Sequence, residues 1–83
     1  MRRAPITTRR GSTVRRVIEW YECDDRIAVT VELEADGRVL SMRPRDLVAE
    51  GGPRAIRRAA GRVVLDRNGG IEELAETEED EGA

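Results

Sequence analysis

Residues 26–34, RIAVTVELE, alternate without a break: Ile27, Val29, Val31 and Leu33 fall on one side, Ala28, Thr30, Glu32 and Glu34 on the other. A period of two is the signature of a strand with one buried face, and a helix would scatter the same apolar set around its axis. The chain must therefore supply further strands to flank this one and a layer to cover its apolar side.

Both flanks are legible. Residues 14–22, VRRVIEWYE, are β-branched and aromatic and read as the preceding strand, joined through Asp24-Asp25. Downstream, Asp36-Gly37 is the strongest short hairpin signal, because a two-residue type I′ turn needs positive φ at both central positions. Residues 38–43, RVLSMR, are the returning strand. With these two turns as tight loops, Trp20 pairs with Val29, Ile18 with Val31, Leu33 with Leu40 and Val31 with Met42. Ile18, Trp20, Ile27, Val29, Val31, Leu33, Leu40 and Met42 then share one face of one meander, and a one-residue slip would turn a whole set to solvent.

The covering layer comes next. Pro44 ends the third strand, and residues 45–50 form a turn that tucks Leu47 and Val48 inward. Gly52-Pro53 opens a helix over residues 53–60, with proline at a position where its missing N–H costs nothing. Ile56 and the small Ala55, Ala59 and Ala60 face the sheet, Arg54, Arg57 and Arg58 face out, and Gly61 caps the C-terminus. Residues 62–66 form a fourth strand, Asn68-Gly69-Gly70 a turn, and residues 71–76 a short helix or strand held by Ile71 and Leu74. The expected architecture is α+β: a three-stranded antiparallel meander with one helix packed on one face, a fourth strand and a short final element (β-β-β-α-β). Residues 1–13 read as a flexible basic arm, 14–76 as a small α+β domain and 77–83 as a disordered acidic tail.

The core is thin. The chain has no Phe, one Trp and one Tyr among 83 residues, and so small a core calls for help from a partner surface such as a second copy. Charge is segregated along the chain. Residues 1–18 hold six arginines and no acid, residues 72–83 hold seven acids and no base, and the stretch between is nearly balanced. Such a chain can hold partners of opposite sign at its two ends, or fold one end onto the other. All 15 basic residues are arginine, a bias that either suits bidentate phosphate contacts or follows from a GC-rich bacterial or phage genome.

Several chemistries are excluded on residue supply. There is no His, and Cys23 is the sole cysteine, so neither an internal disulfide nor the usual zinc set can form. This usage fits a cytoplasmic setting. No apolar run is long enough to span a membrane, and the N-terminus lacks the apolar stretch of a secretory signal. Asp24-Asp25 suits a turn better than a metal, because Asp side chains bond the nearby backbone. Asn68-Gly69-Gly70 lacks the spacing and lysine of a phosphate loop. No cofactor and no enzymatic activity are expected.

A strand pair, an Asp-Gly hairpin, a short helix after RPRDLV and then RVVLDRNGGIEEL resemble a family of small bacterial domains of unknown function, often encoded near toxin–antitoxin loci. The likeness spans roughly residues 14–75 and rests on the Asn68-Gly69 turn and on Glu73-Leu74. That family usually carries a tryptophan before the turn, where this chain has Val63, Val64 and Leu65. The resemblance implies no catalytic residues.

The functional expectation is a small interaction protein that binds and modulates another macromolecule, either a protein or a protein–nucleic-acid complex. In its sharpest form it is a phage or mobile-element inhibitor of a host nucleic-acid-handling complex of the CRISPR type. Glu72, Glu73, Glu76 and Glu78 would imitate a phosphate backbone, with Tyr21, Arg54, Arg57 and Arg58 adding contacts. The alternative is a nucleic-acid-binding or antitoxin-like regulator that uses Arg9, Arg10, Arg15 and Arg16.

Overall fold

The computed structural model describes residues 4–67 and 70–72, with side chains described as far as Leu65. In chain order the described elements are β1 (Thr7–Thr8), β2 (Val14–Cys23), β3 (Arg26–Leu33), β4 (Val39–Met42), a 3-10 turn (Pro44–Asp46), β5 (Leu47–Val48), α1 (Gly52–Ala59), β6 (Val63–Arg67) and β7 (Gly70–Glu72). Five strands form one sheet in the order β4-β3-β2-β6-β7, and β1 pairs with β5 in a separate two-stranded ribbon. The fold is α+β, with an antiparallel meander and one helix.

β3 behaves as its alternation requires. Val29 and Val31 are fully buried and Leu33 nearly so. Each such side chain stabilises the fold by about 1.5–3 kcal/mol relative to exposure. β2 pairs with β3 through the two-residue Asp24-Asp25 loop, and Trp20 stands opposite Val29 as expected.

Further back along β2 the expected register fails. The pairing slips between Val14 and Arg16 and again between Val17 and Glu19. Each slip is a bulge that places an extra residue on one strand. Val14, Val17 and Trp20 therefore reach the core at intervals of three, and all three are buried. Val17, not Ile18, stands opposite Val31. Without the bulges, strict alternation from Trp20 would drive Arg16 into the core.

The Asp36-Gly37 hairpin is also longer than expected. Leu33 N donates to Arg38 O at 2.8 Å, closing a four-residue loop over residues 34–37. Gly37 alone in that loop has positive φ, at 73°. The Asp36 Oδ1 instead accepts the Arg38 N–H at 3.1 Å. The register moves by two: Val31 pairs with Leu40 and Val29 with Met42. A shift of two preserves the faces, so Leu40 and Met42 still pack against the core.

β6 lies parallel to β2, so the chain from β4 to β6 makes a parallel crossover and lays α1 over one face of the sheet. Ile56 and Leu47 descend from this layer into the core, whereas Val48 stays 46% exposed. Of the three alanines expected to face the sheet, only Ala60 packs against the core. Gly61 does not cap α1 in a left-handed conformation. The cap is Ala60, in extended geometry, and Gly61 N donates to Val17 O at 3.0 Å.

Residues 4–13, which the sequence assigns to an arm outside the domain, are hydrogen-bonded to it. Thr7 and Thr8 pair with Val48 and Leu47, Val14 N donates to Ile6 O at 2.8 Å, and Ile6 packs against the core. No helix among the described residues is long and apolar enough to cross a membrane.

Candidate polyanion interface

The described chain through Leu65 carries twelve arginines and nine acids. Where the acids sit decides which arginines remain to meet a partner. Three ion pairs are formed. Arg16 Nε meets Glu32 Oε1 at 2.7 Å, Arg62 Nη2 meets Glu19 Oε1 at 3.1 Å, and Arg57 Nε meets Glu22 Oε2 at 3.3 Å. The first two pairs lie across the sheet face turned away from α1. The third ties α1 to β2, where Glu22 also accepts the indole N–H of buried Trp20 at 2.7 Å. A buried indole N–H needs such a partner.

Four other arginines, Arg9, Arg26, Arg43 and Arg45, have no acid within ion-pair distance among the described residues. Two local structures set them in place. A tight loop after β1 is closed by Thr8 N to Ser12 O (2.8 Å) and Gly11 N to Thr8 O (2.9 Å), with Gly11 at φ 99°. It aims Arg9 at the 3-10 turn, where Arg9 Nε donates to Arg45 O at 2.7 Å and Arg9 N to Asp46 O at 3.0 Å. The turn is braced by Arg43 N to Asp46 Oδ2 at 3.2 Å and Asp46 N to Arg43 O at 2.9 Å. Pro44 stands between two arginines that this bracing holds apart.

Arg43 and Arg45 then line a cleft of about 540 Å³ with Arg26, which the Asp24-Asp25 hairpin delivers from the start of β3. Pro44 and Pro53 wall it, and Asp25 is its one acid. Arg45 belongs both to the cleft and, through its main-chain carbonyl, to the contact with Arg9, which links Arg9 to the three cleft arginines in one arginine row. Planar guanidinium groups present paired donors that match phosphate oxygens, and clustering them raises the local potential seen by an approaching anion.

The sequence-chosen residues divide. Arg9 stands in this row, and Arg10 is exposed on the same loop. Arg15 is exposed at the first β2 bulge, and Arg16 is committed to Glu32. Arg57 is committed to Glu22, while Arg54 and Arg58 line a different cleft beside α1. Tyr21 lies on the face away from α1, half-buried beside Ala28 and Val64. The backbone of Glu72 ends β7, and Glu73, Glu76 and Glu78 lie outside the described residues, as do Asn68 and Gly69. Sequence reasoning alone misses Arg26, Arg43 and Arg45. Their signal is the Arg43-Pro44-Arg45 triplet at a strand end, where proline stops the ladder and leaves its neighbours on a turn.

Among the described residues no three of Cys, Asp and Glu gather into a group that could hold a metal ion. No family model, curated protein or solved structure matches this chain.

Proposed function

We propose that this protein is a non-enzymatic binding module that engages the phosphate backbone of a nucleic acid through Arg9, Arg26, Arg43 and Arg45, and so regulates the molecule or complex it binds. The observation that carries the reading is a cleft lined by Arg26, Arg43 and Arg45 against a single acid, with Arg9 bonded to the main chain of Arg45. Phosphate contacts of this kind bind with little sequence preference and release counterions, so affinity falls steeply with salt. The N-terminal segment contributes to the row as a docked loop.

Filter binding to duplex and single-stranded oligonucleotides across a salt series tests it. Replacing all four arginines by alanine should flatten the plot of log affinity against log salt by about three to four units for duplex. Undetectable binding of the wild type at low salt would end this reading.

A second reading is supported by the seven acids of residues 72–83. They suit a phosphate-mimicking inhibitor, of phage or mobile-element origin, that occupies a basic groove on a bacterial CRISPR-type complex. A chain ended after Leu74 that still binds such a target fully would rule it out.

A further inference from the structure

A second cleft, of about 620 Å³, lies between α1 and the N-terminal segment and shares no residue with the arginine row. Its floor is apolar and shallow-sided: Ile6, Ala49, Ala55 and Ala59. Two cations stand on its rim against one acid, Glu50. Arg54 and Arg58 are four apart on α1 and so stand on one side of the helix, and both line the cleft. Neither has an acid within ion-pair distance among the described residues. Two exposed like charges at this spacing disfavour an isolated helix slightly, and nearby carboxylates would relieve them.

The occupant that fits is a segment with one aliphatic side chain flanked by carboxylates. The chain contains such a segment. Beyond Glu72 its only large apolar residue is Leu74, bracketed by Glu73 and Glu76, with Glu78 close behind. The route is short. β7 runs antiparallel to β6 with Glu72 opposite Leu65, so the chain leaves Glu72 heading toward the Val63 end of β6, four residues past Ala59 of α1. Six extended residues span up to about 20 Å, more than the roughly 12 Å length of an eight-residue helix.

We infer that residues 73–78 of this chain dock in the Arg54–Arg58 cleft of the same molecule, with Leu74 on the alanine floor and Glu73 and Glu76 against the two guanidinium groups. The acidic segment is thereby held against the body rather than presented to another protein. The inference does not depend on nucleic-acid binding.

Amide hydrogen exchange by NMR on the full chain tests it. The Leu74, Ala75 and Glu76 amides should exchange at least fivefold more slowly than their intrinsic rates, equally at low and high protein concentration. Arg54→Glu/Arg58→Glu should abolish this protection, and adding Glu73→Arg/Glu76→Arg should restore it. Leu74→Asp should abolish it with both arginines intact. The Val31 amide, in the core of the sheet, should keep its protection throughout, which separates loss of docking from loss of folding. Exchange at intrinsic rates in the wild type, or protection that survives both groups of variants, would overturn the inference. Protection that grows with concentration would overturn docking within one molecule and assign the cleft to a second copy.

Discussion

The backbone N–H of Gly61 donates to the carbonyl oxygen of Val17 at 3.0 Å, joining the end of the helical layer to the second β2 bulge. One residue on, the Arg62 carbonyl accepts Trp20 N–H at 3.0 Å, and the parallel ladder between β2 and β6 begins. The bulge thus does two things. It turns Val17 into the core, and the main chain beside it receives the returning crossover. Gly61 sits so close that a Cβ there would lie 3.3 Å from Ile18 O.

Gly61→Ala should therefore be destabilising for steric reasons, since its φ does not demand glycine. Relieving that contact takes a shift of a few tenths of an ångström and should cost under about 1 kcal/mol. In a domain of this size, each kcal/mol lowers Tm by about 4–8 °C. An unchanged Tm in a thermal melt would show that the two backbones can part without cost.

Val17→Ala and Ile18→Ala invert the ranking expected from simple alternation. Val17 is buried and Ile18 is the bulged residue outside the core cluster. The Val17 substitution should cost about 2 kcal/mol and that at Ile18 under about 1 kcal/mol. Urea unfolding of both reads the difference, and the reverse order would remove the bulge.

Glu22→Ala should cost more than Arg57→Ala. Losing Glu22 strands the Trp20 indole N–H in a buried site, at about 1–3 kcal/mol. Losing Arg57 removes only a half-exposed ion pair, worth under about 1 kcal/mol. Equal losses in denaturant titration would mean that the indole finds another acceptor.

Arginines that look alike in sequence should separate in nucleic-acid binding. Arg16→Ala should leave the salt slope for duplex nearly unchanged, because that guanidinium is held by Glu32. Arg45→Ala should lower it by about one unit. Equal effects would show that the ion pair opens at no cost.

Gly37→Asn should retain more stability than Gly37→Ala. The site has positive φ, and a Cβ added there would meet nothing within 4 Å, so backbone preference alone decides the outcome. Asn tolerates that region better than Ala, whose cost is about 1 kcal/mol or more. Thermal melts of both variants check the order.

What could be seen in the sequence followed from β3. Its unbroken alternation fixed one buried face, and that face holds because both turn expectations kept side-chain parity. The Asp24-Asp25 loop closes where expected, and the Asp36-Gly37 loop errs by two residues, which parity forgives. β2 defeated the same reasoning because a bulge changes parity inside a strand. The warning was present: a strict period of two places Arg16 among buried valines, whereas intervals of three join Val14, Val17 and Trp20. β1 left no trace because two threonines carry no periodicity, and main-chain bonds to β5 hold them. The arginine row was invisible for another reason. Its members come from three separated turns, and only folding brings Arg9 to Arg45.

The outer strand β4 is four residues long, and Arg38 and Arg43 bracket it. Two copies aligning β4 head to tail would set Arg38 against Arg43 at both ends of the new seam. That repulsion guards the exposed ladder of main-chain groups against templating further growth, a hazard sharpened by Val39 at 58% exposure. In a protein with so little apolar mass to spare, an incoming strand would have to lie against those charges.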